Sequence, residues 1–244
     1  MGGGEDTGSM ENSFRIVTPV YNAGEWIGKC IQSAKEQTYS NFHQVIIDDA
    51  STDRTVQSAQ DAIGEDSRFS VLKNPERRGT VYNHRKGVEF FKREGEDVVV
   101  HLDGDDWFYD KNVLDKVNKI YNDTGCWLTY GSYEATTGDE CVAREYTKSP
   151  RQAVIDGWPF SHLRTFKRFL WDTLEDHHFK DSQGEYYKAA ADVVIFVPIL
   201  EKIGYSHVKF IEDPLLVYNL STENNEHKTM LQEQVKVALD VIQR

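Results

Sequence analysis

Apolar and β-branched residues recur in short unbroken runs along the first half of the chain. Each run is followed by a segment whose apolar positions fall at helical spacing. "FRIVTPV" (14–20) is the first run and reads as a buried strand. From about Gly24 to Gln37, Trp26, Ile27, Cys30, Ile31 and Ala34 share one helical face. "HQVIIDDAS" predicts a second strand, and Asp53 an N-cap for the helix "RTVQSAQDAIG", which Gly64 ends. "FSVLKN" predicts a third strand and "GTVYNHRKGVEFFKRE" a third helix. "EDVVVHLDGDD" then predicts a fourth strand and "NVLDKVNKIYND" the next helix. Continuous apolar strands alternating four times with helices imply a parallel sheet covered on both faces.

After Cys126 the rhythm changes. "CWLTYGSYEA" is strand-like, and "HLRTFKRFLWD" reads as a strand running into a helix. "YYKAAADVVIFVPILEKIG" predicts an apolar helix ending at Gly204. "HVKFIEDPLLVYNLS" predicts two short strands joined at Pro214, and "MLQEQVKVALDVIQ" a final amphipathic helix. No repeat or low-complexity linker divides the chain. The expected organisation is a leader or tag remnant over 1–12 and a single domain over 13–244. Residues 13–125 form its nucleotide-binding half and 126–244 a smaller, mixed half.

Composition narrows the partners. The 244 residues carry 40 acidic against 28 basic side chains, a net charge of -12, which disfavours nucleic acid, since duplex binding draws on clustered Lys and Arg. No run of 18 apolar residues is present, so no membrane span is expected. The three cysteines, Cys30, Cys126 and Cys141, have no metal-ligand spacing and read as reduced, which suits a soluble cytoplasmic protein or one docked at a membrane surface.

The chemistry concentrates at two strand ends. Asp48 and Asp49 close one strand, and Asp103, Asp105 and Asp106 close another. Ligands of open parallel sheets sit beyond the carboxyl ends of the strands, so both groups belong on one rim. Carboxylates this close repel unless a counter-charge intervenes. Hard oxygen ligands suit Mg²⁺ or Mn²⁺, and Mg²⁺ completes its shell with phosphate oxygens. The cluster reads as a metal–diphosphate site. A solvated turn is the alternative, because "DGDD" is rich in turn residues. The second acidic strand end favours the site.

These residues resemble the family 2 glycosyltransferases of the GT-A fold. The stretch "IVTPVYNAGEWIGKCIQSAKEQTYSNFHQVIIDDASTDRT" is similar to the family's opening, and "HLDGDDW" to its Asp-x-Asp-Asp element. The resemblance covers residues 14 to 125 well and the remainder loosely. It implies a nucleotide-diphospho-sugar transferase fold, a mostly parallel central sheet with helices on both faces and a smaller acceptor-side half. It implies that Pro19 and Tyr21 border the nucleotide base and that Asp49 bonds a uracil N–H. Asp103, with Gly104 beside it, contacts the ribose or donor sugar. Asp105 ligates the metal, Mn²⁺ or Mg²⁺, with Asp106 as an alternative ligand or sugar contact. "RRGTVYNHRKG" keeps the family's glycine spacing but places His84 and Arg85 where Arg and Asn are usual, so either faces the diphosphate or donor sugar.

Inverting transfer also needs a carboxylate to take the acceptor hydroxyl's proton. The resemblance places this base at the start of the second-half helix, where Asp192 stands, with Glu185 as fallback. An acid leading an apolar helix is equally at home as a dipole-complementing surface residue. His227, in the loop after "YNLS", is the implied second metal ligand. Trp107 and Trp158 suit stacking on acceptor sugar faces or serve as plain core. The expected reaction is metal-dependent, inverting transfer from a nucleotide-sugar donor, UDP-linked, to a carbohydrate or glycoconjugate acceptor. The rivals are a sugar-phosphate nucleotidyltransferase, for which "PVYNAGEWIGK" lacks the Gly-rich, Arg-containing loop, and a receiver-type signalling domain, for which "FSVLKN" lacks a phospho-acceptor Asp. A catalytically inactive sugar-binding module is the third.

Overall fold

The structure is a computed structural model that describes residues 11–92, 97–222 and 230–244. At its centre lies β1 (Phe14–Val20), of which only Arg15 is not buried. β2 (Phe42–Asp48) and β4 (Val98–His101) flank it in parallel, and β3 (Phe69–Lys73) extends the sheet beyond β2. Successive side chains of these strands point to opposite faces. Phe14, Ile16, Ile46, Val98 and Val100 enter one core, and Val17, Val45, Ile47 and Val99 the other. Each fully buried Val or Ile contributes about 1.5–3 kcal/mol, so a two-faced strand tolerates almost no polar residue.

Helices α1 (Ile27–Lys35), α2 (Thr55–Ile63) and α4 (Val113–Thr124) contribute to the first core. Helix α3 (Thr80–Phe90), the short α5 (Pro150–Ile155), α6 (Ala191–Ile203) and α7 (Leu231–Gln243) contribute to the second. α6 is buried almost all round, as its apolar sequence requires.

Beyond β4 the sheet continues through β7 (Arg164–Lys167), β6 (Leu128–Ala135), β8 (Val208–Tyr218) and β5 (Trp107–Phe108). β7 runs antiparallel to β4 and sets Arg164 opposite His101. The strand order 3-2-1-4 reverses direction at β1, and the crevice beyond the carboxyl ends of β1 and β4 is where an open α/β sheet binds ligands.

Three expectations change. Pro214 does not split the last strand pair: β8 is continuous and absorbs the proline in a register shift against Gly131, Ser132 and Tyr133. The acidic turn after β4 leads into a two-residue strand, Trp107–Phe108, whose apolar run was too short to register as one. Asn12, assigned to the leader, is buried, bonded to Asn118 and Lys167, so the packed fold takes it in. The three cysteines are free, Cys30 and Cys126 buried and Cys141 half-buried. Among the described residues no helix is long and apolar enough to cross a membrane.

Candidate active site

A cavity of about 400 Å³ opens at the strand-order reversal. Its wall includes Pro19 and Tyr21 after β1, Asp49 after β2, His84 on α3, Asp103, Gly104 and Asp105 after β4, and Asp192 on α6. Eight expected site residues, from opposite halves of the chain, thus face one volume. Among the described non-glycine residues with positive φ, Ala190 (53°) lines it, and Asn22 (47°) and Ala50 (60°) are chain neighbours of lining residues Tyr21, Ala23 and Asp49. Left-handed backbone costs about 1–2 kcal/mol at such residues, and that strain concentrates where a loop must aim a functional side chain. Ala190 turns the chain into α6 so that Asp192 falls in its first turn.

Gly104 lets the acidic loop lie against β1. A Cβ there would sit 2.7 Å from Val20 Cβ and 3.2 Å from the Pro19 carbonyl oxygen, so only glycine fits without displacement. Gly87 plays the same part for α3, where a Cβ would meet Val17 Cγ1 at 2.3 Å.

The acids differ in environment. Asp106 is fully buried; one carboxylate oxygen accepts from the Asn219 N–H at 2.8 Å, and the other, Oδ2, is buried without a partner. Burial, then Asp105 and Asp103, holds its carboxyl well above the usual range. Burial and the Asp103 charge push Asp105 up to about 7. Asp103 is raised by burial, with Arg164 acting against the rise and Asp192 adding to it. Ligand atoms of Asp103, Asp106 and His162 lie within 4.8 Å of one another. Two hard oxygens and an imidazole, with an orphaned carboxylate oxygen among them, fit Mg²⁺ or Mn²⁺. The grouping differs from the sequence expectation, which named Asp105 and His227: Asp105 stands beside the trio, and His227 lies outside the described residues.

Asp49 is held down the scale. Burial raises it, but the N–H groups of Arg78 and Gly79 and the Asn74 amide outweigh that. Arg77 Nε also bonds it at 3.1 Å, and the Arg77 guanidinium lies 3.4 Å over the Tyr21 ring. The Tyr21 face and the Asp49 carboxylate are thus bridged by one mobile-length side chain, 48% exposed.

On the opposite wall Arg164, 7% exposed, donates to Asp192 Oδ2 at 3.1 Å and contacts the His162 ring at 3.3 Å. His84 and His101 stack with centroids 4.0 Å apart. Burial lowers both, His84 to about 3, the Arg164 charge contributing. Burial and Arg164 likewise hold His162 well below its ordinary value.

The remaining expected residues fall elsewhere. Arg85 turns away to Glu89 and Asp176. Trp107 stacks on Trp26 beneath Lys29, and Trp158 packs on Phe160; neither lines the cavity. Glu185 is exposed. His101, His162 and Arg164 were not singled out from sequence; Arg164 opens the four-residue β7, too short a stretch to show a clear period.

A family model described as Glycosyl transferase family 2 matches residues 15–180, more than half of the chain. The chain belongs to that family. Among its curated relatives is the glycosyltransferase GlyG of Streptococcus pneumoniae, 24% identical over 225 residues, 86% of this chain and 71% of GlyG. An uncharacterised glycosyltransferase of Haemophilus influenzae is 31% identical over 118 residues, 48% of this chain and 46% of its own length. With several of these relatives the match spans only about half of their length. The fold is shared with S. aureus TarS in complex with UDP-GlcNAc, at TM-score 0.65 and 17% identity over 92% of this chain and 64% of TarS 1-349. It is shared also with glucosyl-3-phosphoglycerate synthase from Mycobacterium tuberculosis in complex with Mn²⁺, UDP-glucose and phosphoglyceric acid, at TM-score 0.66 and 17% identity over 95% of this chain and 80% of that one. The expected fold class is the observed one, and the chain is a family 2 glycosyltransferase.

Proposed function

We propose that this family 2 glycosyltransferase moves a sugar from a UDP-linked donor to a carbohydrate or glycoconjugate hydroxyl, with inversion and with a divalent metal ion. The observation that carries the reading is the convergence of Asp103 and Asp105 from one wall and Asp192 from the other on a single cavity. The donor's base lies toward Tyr21 and Asp49, its ribose and sugar toward Asp103. The acids at 103, 105 and 106, with His162, would hold Mn²⁺ or Mg²⁺, which neutralises charge on the leaving diphosphate when bound.

Asp192 is the base. One of its oxygens accepts from Arg164 and the other from the Val193 N–H, which fixes the carboxylate plane. A free lone pair takes the acceptor hydroxyl's proton as that oxygen attacks the anomeric carbon. Arg164 holds the carboxylate in place and offsets the charge of Asp103 beside it.

The test is a panel of nucleotide sugars with Mn²⁺, read by calorimetric binding and by turnover. Mn²⁺ strengthens UDP binding to the unaltered protein, and Asp105→Ala removes that gain. Asp192→Asn keeps donor affinity and loses turnover by about 10²-fold or more. Wild-type transfer by Asp192→Asn would move the base elsewhere.

A further inference from the structure

Asp49 gathers the loop between β3 and α3 around its carboxylate. A carboxylate has about four acceptor sites, and here four donors meet it. Oδ1 takes the Asn74 amide at 2.9 Å and the Arg78 N–H at 2.8 Å. Oδ2 takes the Gly79 N–H at 3.0 Å and Arg77 Nε at 3.1 Å. Two of these donors are loop backbone, and Asn74 is 1% exposed. Of the four, Arg77 is the one that comes in from solvent, and with Asp49 it lines the cavity. A base N–H that reaches Asp49 therefore takes the place of Arg77. It meets a carboxylate whose direction the other three donors set.

Asn74 depends in turn on a lysine. Its Nδ2 faces two acceptors, Asp49 Oδ1 and, at 2.7 Å, Asn83 Oδ1. Its Oδ1 accepts from Lys86 Nζ at 2.7 Å. An ammonium only donates, so Lys86 fixes which end of the amide turns to Asp49. Without that donor Oδ1 is a buried acceptor left unpaired, and the amide gains by turning it to another partner. Any such turn takes a hydrogen bond from Asp49. Lys86 also forgoes an easier partner. Glu89, three residues further along α3 and exposed, pairs with Arg85 instead, and among the described residues Lys86 forms no ion pair. Lys86 does not line the catalytic cavity, which α3 meets with Thr80, Asn83 and His84. Its charge thus serves the amide from outside the site.

We propose that Lys86 and Asn74 are positioning residues for base recognition. The lysine, which does not meet the nucleotide, sets the amide, and the amide aims Asp49. Asp49 then takes a base that presents an N–H, uracil, over one that presents a bare ring nitrogen at the same place, cytosine. The inference rests on the reading of the cavity as a nucleotide-sugar site with the base at Asp49.

The experiment compares UDP with CDP by calorimetry with Mn²⁺, since the two differ only at the pyrimidine edge. The unaltered protein is expected to bind UDP about ten-fold or more tighter than CDP. Asp49→Asn, whose amide both donates and accepts, is expected to lose that preference. Lys86→Met is expected to cut it about five-fold or more while CDP affinity stays within about two-fold, and Lys86→Arg, which still donates, to keep it within about two-fold of wild type. Asn74→Ala, measured in parallel, is expected to cut the preference as far, and it carries the test where Lys86→Met fails to melt cooperatively. In the Asp49→Asn background Lys86→Met is expected to change UDP affinity by less than about two-fold, because the lysine acts through Asp49. Equal weakening of UDP and CDP, as loss of a charge near the diphosphate or a general loosening would give, overturns the proposal. So does a preference that Lys86→Met leaves intact while Asp49→Asn abolishes it. No preference in the unaltered protein, or one that survives Asp49→Asn, overturns the base reading and the inference with it.

Discussion

Replacing Arg164 by Met measures how far this guanidinium holds the acidic wall together. It lies 3.1 Å from Asp192, 7% exposed, with Asp192's side chain 27% exposed. At that distance and an effective dielectric near 20, the bare attraction is about 5 kcal/mol. Desolvation of the guanidinium offsets part of it, and breaking a buried pair by removing one partner costs about 3–5 kcal/mol. With Asp192 a quarter exposed, about 2–3 kcal/mol is the expected loss, or roughly 5–10 °C for a domain of this size. The loss has a sign in pH. Asp103 and Asp106 hold protons in the folded state at higher pH than in the unfolded chain, so their contribution to stability falls as pH rises through that interval. Arg164 lowers both, and without it the interval widens. The gap in melting temperature between wild type and Arg164→Met, followed by circular dichroism, is therefore expected to be largest at pH 7 and clearly smaller at pH 5. Arg164→Lys is expected to recover at least half of it. An equal gap at both pH values would show that the side chain acts by packing alone, and a more stable Met variant at pH 7 would refute the electrostatic account.

Because Asp105 is pushed up to about 7, protons compete with a divalent ion for it; Mn²⁺ affinity in the presence of UDP, measured by titration, should rise up to about ten-fold per pH unit from 5.5 and level off above 7. Gly104→Ala forces a Cβ to within 2.7 Å of Val20, and overpacking of that kind costs about 1–3 kcal/mol; it should lower the melting temperature and the metal-linked gain in UDP binding together, with partial recovery in the Gly104→Ala, Val20→Ala pair. Arg77→Ala uncovers the Tyr21 ring and frees one Asp49 acceptor, releasing a contact of about 1 kcal/mol, so UDP should bind up to about five-fold tighter in a calorimeter; weaker binding would mean that Arg77 clasps the base instead of standing in for it.

The nucleotide half was legible because its signals are local. Apolar runs of four to seven residues, helices at 3.6-residue spacing and acids at strand ends all declare themselves within a short window, and they placed Asp49, Asp103 and Asp105 on one rim. The counter-charge was not legible in that way. β7 has only four residues and runs antiparallel, and Arg164 reaches an acid 28 residues further along. Only the sheet order, which seats β7 beside β4, brings it to Asp103. That placement also divides the acids. Arg164 acts on Asp103 directly and on Asp106 as the weakest of its influences, while burial and Asp103 raise Asp105 with no relief from the guanidinium. Asp105 and Asp106 therefore hold their protons to higher pH until a cation displaces them, whereas the guanidinium favours the charged form of Asp103. The same guanidinium bonds Asp192, so one buried arginine stands between an acid of the proposed metal group and the proposed base.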